Sequence, residues 1–373
     1  MPSATLERQE IVTTAPPEKP PRKPPAGRLI SLDAYRGFIM LVLAANGFGW
    51  RHLKDHPTFS GIARQFEHVS WTGMAFWDLI QPAFMFMVGV AMPYALARRL
   101  EEGGRRGEIF RHVLWRSAML IVLSQVLMSI SANRLHFQLI NVLSQIAFTY
   151  LLSFLIMQLR FKTQVAAVLG LLAGHWTLFA LLPGSEGAFS KTDNIGALID
   201  RALGLRYGGY YVTINFLSST VTTLFGVWTG QLLIRNDAHA HRVKVLAGGA
   251  AACFLLGWAL TPFNPMVKRL WTASFTLFST GWVLLMLLFF YWLVEIREHR
   301  RAVFPLVVVG MNSIFIYSIS IVLTGWLDRA VGVFTGRFRF VGDLAPVAQA
   351  TAVVLVMWYL CYWLYQRRIF FKI

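Results

Sequence analysis

Residues 270–294 read LWTASFTLFSTGWVLLMLLFFYWLV, twenty-five positions without an Asp, Glu, Lys or Arg. A hydrocarbon core about 30 Å thick takes roughly 20 apolar helical residues to cross. A soluble core helix is seldom both this long and apolar on every side. Residues 302–327 and 344–366 share the property. Working outward from these three, the chain offers about ten candidate spans: 29–50, 74–97, 113–131, 138–159, 163–183, 212–234, 243–262, 270–294, 303–327 and 345–366. Across all 373 residues, 56% are hydrophobic and 14% charged, with mean hydropathy +0.53, where a soluble domain carries about a quarter charged residues. The expected fold is all-α, a polytopic transmembrane helix bundle.

The formal charge of +17 invites a nucleic-acid partner, but topology accounts for it without one. With the N-terminus inside, the inner segments hold 22 of the 35 Lys and Arg residues, the outer loops hold 12, and Arg36 lies within the first span. Cytoplasmic segments are expected to carry that excess, where it also meets anionic lipid. Both termini are therefore expected in the cytoplasm, and membrane lipids are the expected surroundings. Residues 1–28 hold seven of the fifteen prolines mixed with Lys and Arg. They read as a disordered, partly polyproline tail and, lacking an apolar h-region, not as a cleavable signal peptide. Cys253 and Cys361 both fall in apolar spans and imply neither a disulfide framework nor a metal site.

Charges inside spans are costly and mark function by default. They gather around the first two spans: Asp33 and Arg36 early in the first, Asn46 near its outer end, His68 in the following loop, and Asp78 just inside the second. Asn46, His68 and Asp78 should all lie toward the outer leaflet and suit acyl transfer. An imidazole can take a proton from an attacking nucleophile near neutral pH or accept the acyl group itself. A carboxylate such as Asp78 can fix the ring tautomer, and an amide such as Asn46 can donate to an oxyanion. Trp71 can wall the pocket or stack on a sugar ring. The structural alternatives are an interfacial His68, a buried Asp78 paired to a basic residue, and Trp71 in an aromatic belt. His52 and His56 have the i,i+4 spacing of a metal pair but no accompanying Glu in a zincin pattern, so no metal is expected.

These residues also carry a resemblance. Residues 28–37 (RLISLDAYRG) followed by Asn46, then His68-x-x-Trp71-x-Gly73 and Asp78-Leu79-Ile80-x-Pro82-x-Phe84-x-Phe86-x-x-Gly89, are similar to the heparan-alpha-glucosaminide N-acetyltransferase family. The likeness continues through 140–147 (INVLSQIA), 217–230, 268–275 (KRLWTASF) and 305–314 (PLVVVGMNSI), and so spans residues 28 to about 366. Gln81 stands where that family commonly has an apolar residue, and Ser144-Gln145 where it carries a polar-basic pair. The resemblance implies a bacterial-type member that carries only the short tail 1–28 ahead of a transmembrane acyltransferase-like domain, 29–373. It would sit in the inner (cytoplasmic) membrane and move an acetyl group from cytosolic acetyl-CoA to an extracytoplasmic saccharide acceptor, an amino sugar or envelope glycan. N-acetylation is implied, with O-acetylation served equally by a histidine base. His68 then corresponds to the catalytic histidine, Asn46 to the asparagine beside it, and Asp78 to the signature aspartate. Trp71, Lys268, Trp271, Asn312 and Ser313 are the implied substrate contacts, and Arg36, Arg98 and Arg116 the contacts to the donor's phosphates.

Two other classes compete. A small-solute transporter would place polar residues at mid-membrane in both halves, whereas here they cluster in the first two spans. A non-catalytic component of an envelope-glycan complex would tolerate loss of His68 and Asn46. Gly230, Gly248 and Gly249 are expected to let helices approach closely. The oligomeric state, a homo-oligomer included, is left open.

Overall fold

The computed structural model describes residues 29–205 and 208–371; the tail 1–28 lies outside the described residues. Thirteen α-helices are found among those described: α1 (Ile30–Ala44), α2 (Ser60–Gln65), α3 (Ile80–Glu101), α4 (Arg106–Ala132), α5 (Val142–Met157), α6 (Phe161–Leu181), α7 (Ile195–Ala202), α8 (Phe216–Ile234), α9 (His239–Leu260), α10 (Ala273–Tyr291), α11 (Phe304–Met311), α12 (Ser313–Thr335) and α13 (Ala345–Gln366). No strand occurs among the described residues, so the fold is all-α. Six helical stretches are long and apolar enough to cross a membrane: Phe76–Glu101, Arg106–Ala132, Phe161–Leu181, His239–Leu260, Ala273–Ile296 and Ser313–Gln366. The protein is an integral membrane protein.

Four of the expected spans are interrupted or shortened, each for a local reason. The helix expected over 29–50 stops at Ala44, because Asn46, Gly47, Phe48 and Gly49 turn left-handed (φ 47°, 66°, 52° and 70°). The one expected over 138–159 begins only at Val142, where the Asn141 side chain caps it by accepting from the Ser144 N–H at 2.9 Å. The one expected over 212–234 starts as α8 at Phe216. The span 303–327 is broken at Asn312 (φ −121°, ψ 38°), and α12 then runs on to Thr335.

The apolar stretch of α3 is 67% buried and that of α10 is 56% buried, whereas those of α4, α6 and α9 are 28%, 28% and 22% buried. With hydrophobic side chains on all sides of each, this places α3 and α10 at the centre and α4, α6 and α9 at the lipid-facing rim. Close approach follows the small residues. A Cβ at Gly89 of α3 would lie 2.0 Å from the Thr223 carbonyl oxygen of α8. A Cβ at Gly226 of α8 would lie 2.1 Å from that of Phe86, and one at Gly230 would lie 2.4 Å from that of Val90. Gly226 and Gly230 form a GxxxG pair, which lets backbones touch in a bilayer. Gly37 and Gly310 do the same for α1 and α11. Gly248 faces open space and Gly249 meets only the Leu284 side chain at 3.7 Å, so of the three glycines expected to join helices only Gly230 does so.

Candidate active site

The chain ahead of α3 is drawn into a short 3-10 turn, Phe76–Leu79, by its own carboxylate. The Ala75 N–H donates to Asp78 Oδ2 at 3.1 Å while the Asp78 N–H donates to the Ala75 carbonyl at 3.0 Å. The Val69 N–H reaches Oδ2 at 3.5 Å. Asp78 is thus held by backbone donors with 1% of its side chain exposed, and its Oδ1 accepts from His68 Nδ1 at 2.7 Å. A ring nitrogen this close to a carboxylate carries the proton, which leaves His68 Nε2 as the lone-pair nitrogen. His68 is 41% exposed and helps line a cavity of about 290 Å³. Met40, Trp77, Gln81, Tyr211, Lys268 and Tyr317 contribute to the same walls.

Lys268 arrives from the loop between α9 and α10, some 200 residues away. The Gly73 N–H donates to the Met266 carbonyl at 2.9 Å and Arg269 Nη1 to the Ser70 carbonyl at 2.6 Å, lacing that loop onto the His68 segment. Lys268 Nζ then lies 3.4 Å from Asp78 Oδ1 and 3.4 Å from His68 Nδ1. Because Nδ1 already donates to Asp78, the ammonium bonds the carboxylate and only touches the ring. Burial pushes the Lys268 pKa down to about 8, against the opposing pull of Asp78. The ammonium is therefore lost as pH rises through about 8. If its charge serves the reaction, activity has an alkaline limb there, and Lys268→Arg, always charged, moves the limb above about pH 10. A rate–pH profile of both proteins checks this; an unmoved limb would show that the Lys268 charge is not used.

A relay of side-chain amides runs from the half-buried Gln81 at the cavity to the buried Gln145 and Asn215. The Gln81 amide donates to Gln145, Gln145 donates to Asn215, and Asn215 Nδ2 donates to the Arg269 carbonyl at 3.3 Å. A backbone carbonyl only accepts, so the last bond orients each amide in turn. The Gln81 carbonyl oxygen is left with no hydrogen-bond partner among the described residues, on a side chain that lines the cavity.

Phe84 of α3 lines both this cavity and a second one of about 560 Å³, which carries Arg36 and Arg116. Arg36 pairs with Asp33 at 3.4 Å. Arg116 stacks over the Tyr150 ring at 4.9 Å, and its buried Nε has no hydrogen-bond partner among the described residues. A guanidinium lining a cavity of this size fits a phosphate-bearing ligand.

The other expected site residues lie elsewhere. Asn46, turned left-handed beyond α1, lines a separate cavity with Arg51 and His52 and is not brought to His68. Arg98 is exposed on α3 and pairs with Glu102 at 3.0 Å, away from both cavities described above. Trp71 donates to the Phe189 carbonyl at 2.9 Å and stands behind the His68–Asp78 pair. Trp271 is fully buried and its indole N–H points to Thr222 Oγ1 at 3.4 Å, a packing role. Asn312, also fully buried, donates to the Ile369 carbonyl at 3.2 Å and accepts from the Phe371 N–H at 3.1 Å, pinning the segment after α13 to the break between α11 and α12. Ser313 lines the Arg36–Arg116 cavity. Tyr211, Tyr317 and the Gln81 relay were not among the expected residues. For Tyr211 the sequence signal is weak: an aromatic pair, Tyr210-Tyr211, after Gly208-Gly209 in the loop ahead of α8.

No protein-family model matches the chain. It is distantly related to two curated proteins. One is heparan-alpha-glucosaminide N-acetyltransferase of Homo sapiens, 24% identical over 429 aligned residues, covering 93% of this chain and 60% of that protein. The other is the protein of the same name from Mus musculus, 22% identical over 431 residues, covering 94% of this chain and 61% of that protein. The chain thus spans about three-fifths of the length of these relatives.

Proposed function

We propose that the protein is a membrane acetyltransferase that moves an acetyl group from cytosolic acetyl-CoA to the amino group of a saccharide on the other side of the membrane. The observation that carries this reading is the His68–Asp78 pair, whose free Nε2 belongs to a cavity sharing its Phe84 wall with the cavity of Arg36 and Arg116. Both relatives are named as N-acetyltransferases, which supports the same chemistry. Ten crossings with both termini in the cytoplasm fit the helix order. In this count α1, α5 and α8 are short spans, α11 and α12 together make one, and α12 and α13 are separate. The excess of Lys and Arg on the inner segments supports that orientation, and an inner membrane of a bacterium is its proposed setting.

In the reaction, the acceptor amine attacks the thioester carbonyl; a C–N bond forms and the C–S bond breaks. His68 Nε2 takes the amine proton and returns it to the departing CoA sulfur, or Nε2 itself carries the acetyl group between donor and acceptor. Asp78 holds the ring and steadies the imidazolium, and the Lys268 ammonium offers charge to the oxyanion. Arg36 and Arg116 would hold the phosphates of the donor, with the pantetheine arm past Phe84. An acceptor with a hydroxyl in place of the amine would use the same base.

The donor side has a direct test. Arg116→Gln is expected to raise the KM for acetyl-CoA by about tenfold, the weight of one charge-assisted phosphate contact. Arg98→Gln should leave it unchanged. Equal KM values for the two variants would remove the inner cavity from donor binding.

A further inference from the structure

The cavity that holds Asn46 is built differently from the two above. It measures about 570 Å³ and is walled by the Gly47–Leu53 turn, the end of α12, and the Gly336–Leu344 segment running into α13. Arg51, Arg337 and Arg339 line it together with His52. All three arginines are exposed, and none of their guanidinium groups makes a hydrogen bond or ion pair among the described residues. The only carboxylate in the lining, Asp328, accepts from Gln349 Nε2 at 3.2 Å. The walls are fixed to one another. A Cβ at Gly49 would lie 2.6 Å from the Pro346 carbonyl oxygen, and His56 Nε2 bonds Asp343 at 3.2 Å. Gly336, Arg337 and Phe338 are consecutively left-handed (φ 58°, 56° and 54°). Such backbone is unfavourable at each non-glycine position, so the surrounding structure must hold it in place.

Three unpaired guanidinium groups around one space make a site for a multiply charged oxyanion. In the orientation proposed above this cluster lies on the outer side, where the positive-inside rule gives basic residues no purpose. The end of α12 and the segment after it also expose apolar side chains: Val333, Phe334 and Phe340 are 80%, 90% and 83% exposed. A charged cavity close in the chain to exposed aromatic side chains matches an amphiphile, with its phosphate inside and its acyl chains against those side chains.

We propose that the cavity of Arg51, Arg337 and Arg339 binds the phosphate headgroup of an anionic membrane lipid. The test uses the full-length protein in detergent and dioctanoyl phosphatidic acid as probe, with binding read by native mass spectrometry and microscale thermophoresis. Wild type is expected to bind the probe, and R337Q/R339Q to bind it about tenfold or more weakly, as loss of charge-assisted phosphate contacts requires. R51Q removes a guanidinium from a different wall and should weaken binding too, so a folding defect in the first variant would not mask the result. R134Q, an exposed arginine outside the cavity, should bind as wild type does. Wild-type binding by both R337Q/R339Q and R51Q would overturn the site. Inorganic phosphate binding as tightly as the lipid would overturn the membrane source and make a soluble phosphate ester the occupant.

Discussion

His68→Ala is expected to lower acetyl transfer by about a thousandfold, the scale on which a positioned base or nucleophile acts. The variant is a clean one because His68 is 41% exposed and its ring bears on Asp78 without filling the core. Asp78 would be a poorer choice. Its carboxylate is 1% exposed and compensates Lys268, so removing it strands a buried ammonium. Breaking such a pair costs about 3–5 kcal/mol, and lost activity could then be lost fold. The assay follows radiolabelled acetyl groups from acetyl-CoA to a panel of amino sugars, with melting temperature and elution volume recorded for each protein. Turnover by wild type that is lost in His68→Ala at an unchanged melting temperature establishes both the activity and its histidine. Equal turnover by the two proteins would leave the pair with Asp78 as structure alone.

The central part of that site was legible in the sequence because a bilayer makes polar residues conspicuous. His68 and Asp78 stand out beside long apolar runs, and ten residues apart they had few other ways to meet. Lys268 entered only through resemblance, since nothing local says that a loop 200 residues away folds back onto the same carboxylate. Asn46 shows where apolar runs mislead. Leu43-Ala44-Ala45 continues the pattern of α1, but Gly47 and Gly49 allow a left-handed turn that carries Asn46 into another cavity. Gln81 and Gln145 were each visible as departures from the family pattern. That they bond one another needed the structure. Trp271 and Asn312 lay in motifs that implied substrate contacts; the structure buries both, Trp271 beside Thr222 and Asn312 against the segment after α13. Helix ends were the weakest part of the reading, since capping by Asn141 and the break at Asn312 leave hydropathy almost unchanged.

The second large effect is on the fold itself. Gly226→Leu is expected to abolish recovery of monodisperse protein, or to lower its melting temperature by more than any change in the cavities. Overpacking a core typically costs about 1–3 kcal/mol where side chains can shift. Here the added Cβ meets a backbone carbonyl at 2.1 Å, and the carbonyl belongs to a helix that cannot rotate it away. The two helices would have to separate along their whole contact, because Gly89 and Gly230 sit in the same seam. Gly248→Ala provides the contrast: its Cβ enters open space on α9, and alanine favours the helix by up to about 1 kcal/mol. A Gly226→Leu protein that melts like wild type would mean that α3 and α8 do not approach as described. The consequence reaches the chemistry, because α3 leads directly from Asp78 and carries Gln81 and Phe84. Any loosening of this seam moves the carboxylate that orients His68, so the glycines of the α3–α8 seam and the histidine answer to one packing arrangement.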